Sequence, residues 1–553
     1  MDSTLPAAGD LSIEELKMLR FLNRAVDDVL EESLKERESL SQTFRRAFPH
    51  ILSLTGAKGI AVTTLDEELV ERTFHLGDFG DTFPGVLLAS HPWGAQRVGT
   101  DTLVTQALDV VGMKMGTLGL FFAGDQTSPV SSARLLRMLE TIAEELDTVL
   151  ASIQTAAEKH QLIVQLNQFL SNRVFEVGMD KAVLALAERI KLPGFMLLYR
   201  DAVDSNALRY RVYRYGHLEH DSAQSPFPLL DEAIRTHGST LIGGGDDQLR
   251  KVLGSHRSAE SVVISGLGVG TANILGKLLV WSEGEGFSAY AMDLIRVLSS
   301  TLSQRLIDYN RERIHLGQFF SAPVIDELLH DPDYEVRYLT PRDEEVGILF
   351  ADINGFTRIC ELVLEKPEKI GQFVDDWSTE VVDILWKHGG VFDKMVGDCV
   401  IGLFGPPFFR SSRVERAESA VRAALEIQAF TRDKMSAHPE VARISELISL
   451  PGLGVAVGLN LAHAFCGLFG PNRNYTGFST GMNQTARLQA LGSFRETLVM
   501  EPVRQALEHS ADPRLRALTY GPLTETPVKN VAQPLRHFTL SEPSPQASSR
   551  SPT

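Results

Sequence analysis

Residues 346–357 read VGILFADINGFT, and residues 389–405 read GGVFDKMVGDCVIGLFG. The first is a run of apolar and β-branched residues that ends in Asp352 and breaks at Gly355, the pattern of a buried strand followed by a tight turn and a helix-like stretch. The second joins two apolar strands through a turn bearing Gly397 and Asp398. A carboxylate exposed at a strand end by a tight turn is a natural ligand for a hard cation. Two such carboxylates on adjacent strand ends could bind two divalent cations, Mg²⁺ or Mn²⁺, on a triphosphate. Either aspartate alone also reads as an ordinary turn former.

Two further segments follow in the chain, NRNYTGFSTGMNQTARLQALG at 472–492 and TETPVKNVAQPLRHFTL at 524–540. In order and approximate spacing the four segments resemble the class III nucleotidyl cyclases, over about residues 316–540. The resemblance implies a ferredoxin-like α+β catalytic domain in which Asp352 and Asp398 hold the two cations and the Ile353 carbonyl completes one coordination shell. Lys394, four residues before Asp398, falls where this family places a lysine that donates to adenine N1, a position at which guanylate cyclases usually carry Glu. Its partner is Thr476, whose hydroxyl accepts from the exocyclic amine or relays a hydrogen bond.

Asn483 and Arg487 are four residues apart and so share one helix face. By resemblance Asn483 orients the ribose and Arg487 sets a permanent charge on the reacting phosphate. Lys529, in PVKNV, matches a family lysine that reaches the triphosphate tail. The sequence departs from the family wording at Asn354, where Arg or Ser is common, and in GFSTGMNQT. Family active sites lie between two subunits, so a homodimer is implied. The expected reaction is ATP to 3′,5′-cyclic AMP and pyrophosphate. A guanylate cyclase, or a ligand-sensing scaffold with a vestigial cyclase domain, are the alternatives.

Upstream, two stretches repeat one pattern: MKMGTLGLFFAGDQTSPVSSARLLRMLETIAEEL at 113–146 and ILGKLLVWSEGEGFSAYAMDLIRVLSSTLSQRL at 274–306. Each runs from a glycine through an apolar strand and a polar turn into an amphipathic helix. The layout resembles tandem GAF domains, which are sensory modules. No cysteine precedes Cys360, so a bilin thioether is excluded, and the small-molecule ligand of these domains stays open. Ile295, Leu302, Tyr309 and Leu316 recur every seven residues, with Leu298 and Leu306 between them, which suits a coiled-coil dimer seam.

The chain thus reads as an α+β multidomain protein: a helical segment at 1–44 opened by a Ser12–Glu15 capping box, GAF-like domains at 45–155 and 156–290, a helical coiled-coil connector at 291–340, the catalytic domain at 341–541, and a disordered Ser/Pro-rich tail at 542–553. With 54 Lys+Arg against 71 Asp+Glu, the net charge of −17 disfavours a nucleic-acid partner held through its phosphates. It does not disfavour a nucleotide accompanied by cations. No run of about 20 apolar residues offers a membrane span. The three cysteines, Cys360, Cys399 and Cys466, form no CxxC pattern and read as small buried hydrophobes in a reducing, cytoplasmic setting.

Overall fold

A computed structural model of the protein describes residues 12–542 apart from residues 37, 92, 111–112, 203–206, 239, 245, 255–257, 266–273, 284–285, 436–437 and 529–532. Lys529 and all of the expected tail except Glu542 therefore lie outside the described residues. The chain divides into two compact units, Met1–Gln168 with Ser288–Leu298, and Phe169–Phe287 with Ser299–Thr553. Among the described residues no helix is long and apolar enough to cross a membrane.

In the first unit the helix Ile13–Glu36 starts where the capping box predicts. Glu15 N–H donates to the Ser12 hydroxyl at 3.2 Å, and Ser12 N–H donates to the Glu15 carboxylate at 3.1 Å. A second capping box, Ser39 with Gln42, interrupts the helical run and opens a new helix, Leu40–Thr55. The five strands that follow are β1 (Gly59–Leu65), β2 (Glu71–Gly77), β3 (Gly94–Val98), β4 (Asp101–Val110) and β5 (Met113–Phe122), in the order β2-β1-β5-β4-β3. The second unit opens with five more: β6 (Gly194–Arg200), β7 (Leu208–Arg214), β8 (His217–Asp221), β9 (Ser258–Ser265) and β10 (Ile274–Ser282), in the order β8-β7-β6-β10-β9.

In both sheets the first strand lies between the second and the fifth, and the fourth lies outside the fifth. The sequence repeat is this shared arrangement. Its glycine has a physical reason: a Cβ on Gly116 would stand 2.2 Å from the Thr63 carbonyl oxygen, and one on Gly276 would stand 2.6 Å from that of Leu198. Each fifth strand needs a bare Cα to close against the first.

The expected coiled-coil seam is not free to form. Ile295, Leu298, Leu302, Leu306, Tyr309 and Leu316 all lie in the helix Ala289–Leu316 and are at most 2 % exposed within the single chain. Tyr309 stacks on Phe175 at 4.6 Å between ring centroids. A seven-residue apolar repeat marks a buried stripe, and here the stripe is consumed by the chain's own packing.

The remaining strands form one nine-stranded sheet. They are β11 (Arg342–Ile353), β12 (Gly390–Val396), β13 (Cys399–Phe404), β14 (Val455–Phe469), β15 (Asn474–Phe478), β16 (Thr497–Met500), β17 (Thr519–Tyr520), β18 (Thr524–Thr526) and β19 (Leu535–Ser541). Helix Pro367–Lys387 separates β11 from the β12–β13 hairpin, and helix Arg413–Ala429 separates the hairpin from β14. With antiparallel neighbours in the order β12-β13-β11-β14, this is the ferredoxin-like βαββαβ arrangement expected from the sequence.

The second half of β11, Val346–Ala351, reads as a continuous apolar run because both of its faces are covered. Leu349, Ala351 and Ile353 join Trp377, Val381, Leu385, Val421, Ala424 and Ile427 of the two helices in the main core. Each fully buried Leu, Ile or Val side chain among them contributes about 1.5–3 kcal/mol. Residues of the other parity, Ile348 on β11 with Gly458 and Ala462 on β14, face the helix Thr480–Leu491. That helix approaches closely enough that a Cβ on Gly458 would meet Gln489 at 2.8 Å.

Candidate active site

Asp352 has the parity of Ile348 and so faces the helix Thr480–Leu491. Asp398 is set beside it by the β12–β13 turn, where Gly397 adopts the left-handed φ of +65° that a two-residue hairpin turn requires. Ile353 N–H donates to Asp398 Oδ2 at 3.1 Å, and Gln489 Nε2 donates to Asp352 Oδ2 at 3.4 Å. Among the described residues no Lys, Arg or His forms an ion pair with either carboxylate, and no group of three or more His, Cys, Asp or Glu side chains is placed to hold a metal ion.

Burial raises the pKa of Asp352, and burial followed by the neighbouring charge of Asp352 pushes that of Asp398 up to about 7. Two hard oxygen donors held together without a counter-charge form a set that fits divalent cations. The sign of the shift gives a stability test. A carboxyl whose pKa is higher in the folded than in the unfolded state binds more protons when native, so stability falls as pH rises from 3.8 towards about 7. With divalent cations chelated, Asp398→Asn is expected to melt above wild type near about pH 8 and to lose that advantage near about pH 5. An advantage independent of pH would contradict the burial argument.

A second cluster lies where β12 meets β15. Lys394 Nζ donates to Thr476 Oγ1 at 3.0 Å and stands 5.5 Å from the centroid of the Phe478 ring. The preceding residue, Asp393, is an unpaired bulge residue between Phe392 and Lys394 and is buried. It accepts from Gly477 N–H at 3.0 Å.

Asn483 and Arg487 lie on the helix Thr480–Leu491, capped by the Ser479 hydroxyl accepting from Met482 N–H at 3.0 Å. Both are exposed, whereas Thr485 and Gln489 are buried. Two residues of helix turn the side-chain direction by about 200°, so Arg487 points away from the side on which Gln489 meets Asp352. One chain therefore gathers Asp352, Ile353 and Asp398 at one place and Lys394 with Thr476 at another, and leaves Asn483 and Arg487 facing solvent.

Three features depart from the sequence reading. Ile353 meets Asp398 through its N–H, a contact the sequence did not suggest. Gln489 and Asp393 belong to the two clusters although no local pattern in residues 389–405 or 472–492 marks either of them. Cys360 and Cys399 are half-buried and only Cys466 is fully buried. Burial, with Asp352 and Asp398 nearby, pushes the Cys399 thiol up to about 12, which rules it out as a thiolate nucleophile near neutrality. Asn354, the departure from family wording, ties two loops: its Oδ1 accepts from Arg495 N–H at 3.0 Å.

Residues 339–529 match the adenylate and guanylate cyclase catalytic domain family. An uncharacterized protein of Mycobacterium tuberculosis is 29 % identical over 180 residues, covering 32 % of this chain and 30 % of that protein. This chain thus spans about a third of the length of that curated relative. Among solved structures, the adenylyl cyclase CyaB from P. aeruginosa is 22 % identical with a TM-score of 0.32, covering 37 % of this chain and 98 % of that one. The guanylate cyclase domain of RhGC from Catenaria anguillulae, in complex with GTP, is 17 % identical with a TM-score of 0.30, covering 37 % and 100 %. The segment that matches the adenylate and guanylate cyclase catalytic domain family is the one that carries the paired aspartates on a ferredoxin-like sheet.

Proposed function

We propose that the protein is an adenylate cyclase that converts ATP to 3′,5′-cyclic AMP and pyrophosphate at sites shared between two copies of the chain. The observation that carries the choice of base is the Lys394–Thr476 hydrogen bond. A lysine ammonium only donates, and a hydroxyl can accept. That pair complements adenine, which presents an acceptor at N1 and an amino donor at C6. Guanine presents the reverse, N1–H and O6. In a competition between ATP and GTP, kcat/KM is expected to favour ATP by about 10-fold to 100-fold, and Lys394→Glu to remove that preference. Equal use of both nucleotides by wild type would contradict the assignment.

Two divalent cations, Mg²⁺ or Mn²⁺, would be held by Asp352 and Asp398 with the Ile353 carbonyl, and when bound would supply charge stabilisation for the oxygens of the phosphoryl transfer. In that reaction the ribose 3′-oxygen forms a bond to the α-phosphorus, the bond from the α-phosphorus to the pyrophosphate oxygen breaks, and the hydroxyl proton is released. Asn483 would orient the ribose and Arg487 would lay a planar, permanent charge on the α-phosphate as it crowds. Lys529 is assigned to the triphosphate tail by family resemblance alone.

The arrangement within one chain favours a homodimer. Asn483 and Arg487 have no partner among the described residues and face away from the carboxylates. Around the Lys394–Thr476 pair, Met395, Val396, Phe465 and Phe478 are 41 %, 61 %, 44 % and 54 % exposed. Phe465 and Phe478 are a cross-strand pair, and an apolar strip of this kind suits burial against a second copy.

We further propose that the two GAF-like domains regulate the catalytic domain by binding a small molecule. Within the second unit, buried Arg313 donates to Asp201 beside β6 and to Asp326 on the helix Ala322–Leu329, while Arg209 on β7 bridges the same two carboxylates. Beyond this network the Phe319 carbonyl accepts from Phe392 N–H and from Trp386 Nε1, both at 3.0 Å. Phe320 packs on Tyr475 at 5.1 Å. Phe392 and Tyr475 are close neighbours in sequence of Lys394 and Thr476, so a shift of the network would reach the base-binding pair.

A further inference from the structure

The geometry points to Asp393 as a positioning residue that fixes the direction of the Thr476 hydroxyl and thereby makes the site select a purine with an amino group at C6. This rests on the adenylate reading above.

The bulge in β12 is the starting point. Phe392 pairs with Gly402 and Lys394 with Ile401, so Asp393 has no cross-strand partner, and its side chain is 0 % exposed. Bulges re-aim one side chain out of the strand's alternation. The carboxylate's Oδ1 accepts from Gly477 N–H at 3.0 Å, which fastens it to the residue after Thr476. Its Oδ2 is sealed from solvent without a well-formed hydrogen bond, and Lys394 Nζ stands 3.5 Å away. Burial raises the pKa of this carboxyl, and the Thr476 hydroxyl, the first of the opposing influences, draws it back down. The hydroxyl is thus close enough to stabilise the charged form.

Thr476 Oγ1 has one proton and two lone pairs. Lys394 Nζ donates into one lone pair at 3.0 Å, so the hydroxyl proton must turn elsewhere. The buried Asp393 carboxylate beside it is an acceptor with an oxygen to fill, and leaving that oxygen unpaired carries a cost of its own. With the proton given to Asp393, the remaining lone pair is what the base meets. An adenine 6-amino group donates into it. A 6-oxo group would bring a second lone pair against it, and that repulsion rejects the wrong base.

Asp393→Asn tests the chain of donors. Asparagine is nearly isosteric, its oxygen can keep the Gly477 bond, and its amide N–H replaces the acceptor facing Thr476. The hydroxyl oxygen then accepts a hydrogen bond from the Asn amide and directs its own O–H at the base. The expected result, from steady-state kcat/KM with ATP and with inosine triphosphate as the 6-oxo probe, is a fall of the ATP to inosine triphosphate ratio by about tenfold or more. Turnover of inosine triphosphate should hold or rise, a gain that mere loosening of the turn would not produce. In a Thr476→Ala background the same substitution should leave the ratio unchanged within about twofold, because the group it acts through is gone.

If Asp393→Asn does not fold, Asp393→Ser removes the same carboxylate with a smaller side chain and is expected to lower the ratio alike. The proposal is overturned if the folded variant slows both nucleotides in proportion, or if it changes the ratio as much without the Thr476 hydroxyl. Preference of the unmutated protein for GTP would overturn the adenylate reading instead, and that failure is visible before any variant is made.

Discussion

Asp352→Ala and Asp398→Ala are each expected to lower nucleotide cyclisation by about 10³-fold or more while leaving the fold intact. The size follows from what surrounds the two side chains. They lie side by side at the end of β11 and the β12–β13 turn, they accept from the Ile353 N–H and the Gln489 amide, and among the described residues no cationic side chain forms an ion pair with either. Such a pair costs folding energy through burial and like-charge repulsion, so its retention is explained by what it binds. Removing one carboxylate relieves repulsion, and the melting temperature at neutral pH should stay level or rise while activity is lost. Calorimetric titration of Mn²⁺ should lose its heat in parallel. A variant that keeps turnover within about tenfold of wild type would show that the phosphates are held elsewhere.

Arg487→Ala is expected to lower kcat by about 10²–10³-fold with a much smaller change in KM. Arg487 is exposed on the face of its helix opposite Gln489 and is without a partner among the described residues, so its removal should cost little stability. Its guanidinium would meet most charge when the α-phosphate carries five oxygens, and an interaction made mainly in the transition state appears in kcat rather than in KM. Arg487→Lys keeps a charge but loses the planar fork, and should recover only about a tenth of the lost rate. A loss confined to KM would make Arg487 a ground-state anchor.

The sequence made the Asp352–Asp398 pair legible because strand-ending aspartates next to glycines are local patterns, and because β13 and the buried half of β11, from Val346 to Ala351, are apolar. The Lys394–Thr476 pair, 82 residues apart, was reached through family resemblance and is a hydrogen bond in the structure. What was not legible depends on non-local geometry. The spacing of Ile295, Leu302, Tyr309 and Leu316 reports a buried stripe without saying what covers it; Tyr309 is covered by Phe175 of the same chain. Gln489 becomes part of the site only once the parity of Asp352 and the close approach at Gly458 are known. Asp393 reads as an out-of-place charge in an apolar strand until the bulge after Phe392 explains why it points inward.

Mixing two inactive variants tests the shared site most directly. In an Asp352→Ala/Arg487→Ala mixture, random exchange makes about half of the dimers heterodimers. Each heterodimer combines intact carboxylates from one copy with an intact arginine from the other at one of its two sites, so cyclic AMP formation should return to about a quarter of the wild-type rate. Native mass spectrometry of the same mixture counts the heterodimers. If they form and the rate stays at the level of the separate variants, the carboxylates and the arginine do not meet across a dimer, and the account of the site is wrong.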